Sequence, residues 1–487
     1  MSNQSYKTVK HNWSEYQKAI FKNIANDDGH LIIEAYAGSA KTTSIIESFK
    51  YVPKGKKVLA LAFNKKIQEE LKSRSPSYIQ DIFTFHSLGL RAIKQRFGNV
   101  QIDDNKVFNI VKSELKNSTY DLIISVCDTV AYCKYGLLDS PKDIENIIDN
   151  FSIDLCDMEK NTFIKTVITI LSLDKKDTSK IDFNDMCWLP FVYNLNLGHY
   201  DFVYVDERQD LNKSQLVMAK KACKPITGRI IAAGDEYQAL YSWRLADTSI
   251  IEDLKKQPKT KILSLPISYR CPKNVISLAK NWIPDIKCPD TAIDGSIENI
   301  SLNQLYTKAK PGCFILSRTN APLIKICMSF IRQGIKANIK GRDVGKQLTS
   351  LIRKSKKKQI KSFLNWLEDW KNEELDKLKE KNINPDNILD RYECLVNICD
   401  ECKTLEEVDK KLNELFNDTD ENNLIILSTT HRAKGLERED VFVLRWTFKY
   451  WLDPSIKHLD KPNEECNIAY VAATRSKNRL FIVSKMA

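Results

Sequence analysis

A chain of 487 residues is too long for one compact core and suits two to four domains. Hydrophobic residues make up 43% and charged residues 28%, an ordinary balance for a globular protein in water, and no apolar run is long enough to cross a bilayer. The formal charge of +12 favours a polyanionic partner without naming one, the alternative being a lysine-rich solvated surface.

The first residues, Met1 to Lys7, are polar and lack the apolar core of a signal peptide. The 13 cysteines are odd in number and scattered. Both features lead to the expectation of an intracellular protein with reduced thiols, in cytoplasm or nucleus according to host. Cys399 and Cys402 form a lone C-x-x-C near Cys394, with no second pair at zinc-ribbon spacing, so buried thiols are expected there.

In chain order, short continuous apolar runs at 31–34, 58–63, 202–205, 230–233, 262–265, 313–316, 424–427, 441–444 and 480–483 fit strands buried on both faces of a parallel sheet. Helical stretches at 41–49 and 65–72 alternate with them, which predicts an α/β fold. Residues 91–180 break the pattern with helical periodicity at 107–115 and 143–151. Residues 346–420 are highly charged and also helical in pattern.

Four places carry chemistry. Ala35-Tyr-Ala-Gly-Ser-Ala-Lys-Thr-Thr43 lies between a strand and a helix, where backbone N–H groups face phosphate oxygens. Lys41 would reach the β- and γ-phosphates and Thr42 would ligate Mg²⁺; Ala35 and Ala40 replace the two glycines of the strict pattern, so a structural β–α turn is the alternative. At the tip of the 202–205 run, Asp206 can hold Mg²⁺ and Glu207 can orient or activate the attacking water, unless the pair is a solvated cap. After the 230–233 run, Gln238 can sense the γ-phosphate, and Tyr241, Trp243 and Arg244 offer aromatic faces beside a cation, or else begin a core helix. Arg270 and Arg475 can neutralise charge on a transferring phosphoryl group; a surface ion pair is the plainer reading of either alone.

Taken in order, these segments resemble the superfamily 1 helicases of the UvrD/Rep/PcrA type, and look closest to the F-box DNA helicase branch, with no F-box expected ahead of the motor sequence. Trp13-Ser-Glu-Tyr-Gln17 resembles the Q motif, in which Gln17 reads the adenine edge. Residues 35–43 match motif I, in which Ala37, Gly38, Ser39, Ala40, Lys41, Thr42 and Thr43 cradle the nucleotide; Ala40 stands where the family has glycine, and its methyl group crowds the phosphate approach. Ala62-Phe63-Asn64-Lys65 matches motif Ia, and Thr84-Phe85-His86-Ser87 matches the DNA-contact motif that follows. Ile181-Asp-Phe-Asn-Asp-Met186 resembles the segment before motif II, and Asp206-Glu-Arg-Gln-Asp210 matches motif II. Gly234 to Arg244 matches motif III, with Leu245 in place of the usual glycine. Tyr269-Arg270 matches motif IV, whose tyrosine stacks on adenine. Thr429 to Glu437 matches motif V, in which Thr430 and His431 touch DNA and Glu437 approaches the ribose. Tyr470 to Arg475 matches motif VI, whose arginine is the finger.

The resemblance implies two RecA-like domains with parallel sheets, each with a helical insertion, and ATP with Mg²⁺ held between them. The first motor domain would comprise 1–90 and 181–266 around an insertion at 91–180. The second would comprise 267–345 and 421–487 around a reduced accessory insertion at 346–420. It implies an ATP-dependent translocase and DNA helicase, travelling 3′ to 5′ in DNA repair, recombination or replication, with single-stranded DNA and strand junctions as partners, a monomeric state and no membrane. The rival readings are a translocase that strips proteins from DNA with little strand separation, and an RNA-acting relative. The run Arg353-Lys-Ser-Lys-Lys-Lys358 would bind duplex phosphate, serve as a nuclear signal, or simply solvate a helix.

Overall fold

The computed structural model describes residues 12–151, 153–240, 249–380, 385–416, 423–449, 451 and 464–485. The chain divides into two compact units, Met1–Glu236 with Tyr241–Pro266, and Tyr237–Leu240 with Ile267–Ala487. Each carries a RecA-like, all-parallel, six-stranded sheet with helices.

In the first unit the strands are β1 (Leu31–Ala35), β2 (Val58–Ala62), β3 (Asp81–Thr84), β6 (Phe202–Val205), β7 (Arg229–Gly234) and β8 (Lys261–Leu265), in spatial order β3-β2-β6-β7-β1-β8. Their apolar runs are continuous because alternate residues enter two cores. Ile32, Leu59, Leu61, Val203 and Val205 face one side, and Leu31, Ile33, Ala60, Tyr204 and Ala233 face the other. β1, β7 and β6 are adjacent, so the loops at their C-terminal ends lie side by side at strand spacings of about 4.8 Å. The chain leaves β1 and re-enters the sheet at β2 beyond β7 and β6, and the end of a parallel sheet where connections diverge in this way is where such folds bind ligands.

Between β3 and β6 run the helices Lys106–Glu114, Tyr120–Gly136, Pro141–Phe151 and Lys160–Lys176, closed at the base by a two-residue ladder of β4 (Gln101–Ile102) with β5 (Lys180–Ile181). Their apolar faces join the same core as one face of the sheet. A buried ion cluster ties them together. Lys134 Nζ lies 2.7 Å from Asp174, 3.0 Å from Asp182 and 2.7 Å from Asp185, and Lys106 Nζ lies 2.8 Å from Asp174 and 2.9 Å from Asp185. Burial pushes the Asp174 carboxyl up to about 6 against the pull of Lys134, and Asp185 adds to the rise. Burial works against Asp185 as well, yet Lys134 and Lys106 outweigh it and hold that carboxyl below the usual range.

The second unit has β9 (Ser296–Ser301), β10 (Phe314–Ser317), β11 (Ala337–Ile339), β12 (Ile425–Thr429), β13 (Arg438–Leu444) and β14 (Ser476–Ser484), in order β11-β12-β10-β13-β14-β9. Helices Arg342–Ser355, Ile360–Glu380, Asp386–Cys399 and Leu405–Leu415 pack Ile352, Phe363, Leu395, Ile398 and Leu412 into one core with Ile315, Leu427 and Phe442 of the sheet. Cys394 and Cys399 are core thiols of this cluster.

Candidate nucleotide site and nucleic-acid contacts

The loop after β1 turns sharply at Gly38 (φ 73°) and Ala40 (φ 57°, ψ 37°), then enters the helix Lys41–Ser48. The left-handed conformation at Ala40 is the one that the missing glycine would take freely, and an alanine there costs about 1–2 kcal/mol. The loop is pinned by Tyr36 N donating to Leu265 O (3.2 Å) and by Ser39 N donating to Tyr36 O (3.0 Å). Ala37 is buried, and the buried Ser39 Oγ has no hydrogen-bond partner among the described residues. Thr42 is partly buried, and Thr43 Oγ1 accepts from Arg74 at 2.8 Å.

Lys41 Nζ is held 2.9 Å from Asp206 Oδ1 and 2.7 Å from Glu207 Oε2. Burial opposes its charge, but the two carboxylates outweigh burial and keep the ammonium's pKa above its ordinary value. Burial raises the pKa of Asp206, with Lys41 offsetting the effect and Glu207 adding to it. Asp206 Oδ1 also accepts from Glu207 N (2.8 Å), while its buried Oδ2 has no hydrogen-bond partner among the described residues. Glu207 itself sits at φ 53°, a strained conformation for a non-glycine residue of the kind concentrated at functional sites. An orphaned carboxylate oxygen beside a threonine-bearing phosphate loop suits a magnesium ion. That ion takes one or two protein oxygens and completes its shell with water and phosphate.

Gln209, unassigned in the sequence reading, connects this corner to the next strand. Its Nε2 donates to Glu207 Oε2 (2.6 Å) and its Oε1 accepts from Asp235 N (3.0 Å). A Cβ at Gly234 would stand 2.3 Å from Gln209 Oε1, so glycine is what lets the two loops meet. Gln17 is buried against the phosphate-loop helix. Its Oε1 accepts from Ser14 N (3.0 Å) in a capping box and its Nε2 donates to Ser44 Oγ (2.9 Å).

In the second unit Arg475 is 1% exposed. Its Nε donates to Val471 O (3.0 Å), one Nη to Leu436 O (3.3 Å), and the other reaches Gln238 Oε1 at 3.5 Å. Among the described residues no carboxylate pairs with it, and burial, reinforced by Arg270, lowers its pKa to about 10. Two side chains 237 positions apart are thus brought together. Lys434, a second residue without a role in the sequence reading, anchors the same segment by donating to Gln238 O (2.5 Å). Arg270 pairs with Glu437 at 2.5 Å, and Tyr269 is 47% exposed.

The expected nucleic-acid contacts divide. Phe63 is partly buried, and exposed Asn64 caps the helix Lys65–Arg74 by accepting from Ile67 N (2.9 Å). Thr84 caps the helix Phe85–Phe97 in a box with Ser87. The Phe85 ring is fully buried in the core, and Thr430 is fully buried with its hydroxyl directed at Ser317 O (3.4 Å). His86 is partly buried, with its pKa lowered by burial, and its ring meets that of Phe183 edge-on at 5.8 Å. Phe183 is 52% exposed and was not singled out as a contact from sequence. The Asp182/Asp185 capping box presents it at the start of the helix Phe183–Val192. Burial, together with Arg318, Lys434 and Arg432, lowers the His431 pKa to about 4. Tyr241, Trp243 and Arg244 lie outside the described residues.

A phosphate loop, its lysine and an acidic pair at the C-terminal ends of adjacent parallel strands define the first unit as a P-loop nucleotide-binding domain. Sequence comparison supplies the family. The UvrD/REP helicase N-terminal domain matches residues 14–259 and the UvrD-like helicase C-terminal domain matches residues 336–486; the chain belongs to the UvrD/REP helicase family. It is 25% identical over 283 residues to the ATP-dependent DNA helicase PcrA of Bacillus subtilis, covering 53% of this chain and 38% of that protein. It is 26% identical over 298 residues to the probable DNA helicase II homolog of Mycoplasma pneumoniae, covering 54% and 41%. With PcrA of Staphylococcus epidermidis the identity is 24% over 301 residues, covering 56% and 40%. The chain spans about two fifths of the length of these relatives. Among the described residues, no helix is long and apolar enough to cross a membrane.

Proposed function

We propose that this chain is an ATP-driven motor on single-stranded DNA and a DNA helicase, travelling 3′ to 5′. The observation that carries the reading is an Asp206 oxygen that is buried without a hydrogen-bond partner among the described residues, while the other oxygen of the same carboxylate holds the phosphate-loop lysine Lys41. A magnesium–nucleotide complex complements that arrangement. The names of the relatives, ATP-dependent DNA helicases, support the same reading.

In this account Lys41 leaves Asp206 and Glu207 for the β- and γ-phosphates, and the loop Ala37–Ala40 cradles them with backbone N–H groups and the Ser39 hydroxyl. Asp206 and Thr42 would hold Mg²⁺, which would supply charge neutralisation for the phosphates. Gln17 and Tyr269 address the adenine, and Glu437 the ribose. Glu207 orients a water molecule and takes its proton as the water oxygen bonds to the γ-phosphorus and the bridging bond to ADP breaks. Gln238, Arg270 and Arg475 answer to the γ-phosphoryl group, so its departure changes the state of the second unit. Phe63, Asn64, Thr84, His86 and His431, with Tyr241, Trp243 and Arg244, contact the strand. Stacking of about 1–3 kcal/mol per base is nearly blind to sequence, as a motor requires. A place in the F-box helicase branch is the finer reading that the motif spellings support.

The test is ATP hydrolysis with and without oligo(dT) or oligo(rU), followed by unwinding of tailed duplexes of both polarities. Stimulation by DNA and unwinding from 3′ tails are expected. ATPase indifferent to any strand contradicts the motor. Protein displacement without unwinding selects the translocase reading, and stimulation by RNA alone selects the RNA-acting one.

A further inference from the structure

The first unit contains a cavity of about 650 Å³ at the end of the sheet opposite the phosphate loop. It is bounded by Val58, which begins β2, by Asp81, which begins β3, and by Tyr200, two residues before β6. Lys41, Asp206 and Glu207 follow the other ends of β1 and β6, about 15 Å of strand away.

Its chemistry is of two kinds. Lys50, Lys54, Lys56 and Lys57 form a cationic rim. Lys50 pairs with Glu47 (2.6 Å), and Lys56 lies 3.7 Å from Asp201, a carboxylate that Lys224 holds closer at 2.8 Å. Lys54 and Lys57 are exposed and have no ion-pair partner among the described residues. Inside the rim, Val52, Pro53, Ile79 and the ring of Tyr78 give an apolar wall, with Tyr78 62% exposed.

We propose that this cleft docks an acidic peptide segment of a partner protein, one that carries an apolar or aromatic side chain among its carboxylates. Three observations favour a peptide over nucleic acid. The rim has lysines and no arginine, so it supplies diffuse charge without a bidentate phosphate fork. The apolar wall would stay uncovered under a sugar–phosphate backbone and is matched by an apolar side chain. The candidate strand contacts Phe63, Thr84 and His86 lie at the opposite ends of β2 and β3. Excess positive charge around an apolar pocket recruits such a segment by long-range attraction and then buries its anchor.

The experiment measures fluorescence anisotropy of a labelled octapeptide alternating Asp with Leu and ending in Phe, titrated with the full chain. Binding that weakens with added salt is expected, as is a loss of roughly tenfold or more in affinity, about 1.4 kcal/mol, on Lys54→Glu/Lys57→Glu. Lys54→Ala/Lys57→Ala should give a smaller loss in the same direction, and neither double variant should change ATPase activity. Equal binding of the Asn-for-Asp peptide, or affinity unmoved by both double variants, overturns the proposal. Displacement of the peptide by oligo(dT), with oligo(dT) affinity falling in the same variants, overturns it in favour of a nucleic-acid surface.

Discussion

Replacing Lys134 with methionine keeps the reach of the side chain and removes its charge from among three aspartates at 2.7–3.0 Å. The cluster already carries one carboxylate more than its two lysines balance, and all five side chains are buried or nearly so. Breaking a buried pair from one side costs about 3–5 kcal/mol. A proton is the obvious remedy, because burial already raises Asp174 to about 6 and Lys134 opposes that rise. In the variant Asp174 therefore stays protonated in the folded chain at pH values where the unfolded chain has lost the proton. A group with a raised folded pKa of this kind stabilises as pH falls. The variant's deficit should be about 3–5 kcal/mol at pH 8 and shrink by about 1.4 kcal/mol per unit down to pH 6. Urea unfolding followed by tryptophan emission reads this, since the Trp188 ring lies 5.3 Å from Lys134 Nζ. Lys134→Met/Asp185→Asn, which restores an excess of one carboxylate, should recover part of the loss. A Lys134→Met chain within about 1 kcal/mol of the parent at both pH values, or a deficit that ignores pH, would mean that Lys134 does not hold this cluster's charge.

Ala40→Gly should raise stability by about 0.5–1 kcal/mol, seen as a higher Tm, because relief of the left-handed alanine exceeds the extra freedom of glycine in the unfolded chain; a lower Tm contradicts it. His431 should titrate near 4 in the folded protein by NMR of its ring. Its depressed pKa favours the neutral form, so acidification from about 6.5 to 4 should erode the second unit's stability by at most about 3 kcal/mol, and a titration near 6.5 would show that the ring is not desolvated.

The strands buried on both faces, β1, β2, β6, β7, β10, β12, β13 and β14, were legible as apolar runs, because a parallel sheet covered by helices leaves them no polar face. β3, β9 and β11 were not. They are edge strands, and Ser296–Ser301 mixes apolar residues with Glu298 and Asn299. The phosphate loop and acidic pair could be read locally, since a strand tip followed by Lys41, or by Asp206-Glu207, is contiguous in sequence. The meeting of Gln238 with Arg475 could not be read without a family resemblance, because no local pattern spans such a distance. The Lys106–Lys134–Asp174–Asp182–Asp185 cluster was invisible for the same reason. The burial of Phe85 and Thr430 was not legible in their motifs, because a motif names consecutive residues while the helix that carries them turns some of those side chains into the core.

The proposed reading gives Arg475 a direct part in ATP hydrolysis. Arg475→Ala tests it most directly, with ATP affinity measured beside the DNA-stimulated hydrolysis rate. ATP affinity should change by no more than roughly tenfold and kcat should fall by about 10³-fold or more, the range of a lost arginine finger. Hydrolysis at the parental rate in a folded Arg475→Ala chain would contradict it.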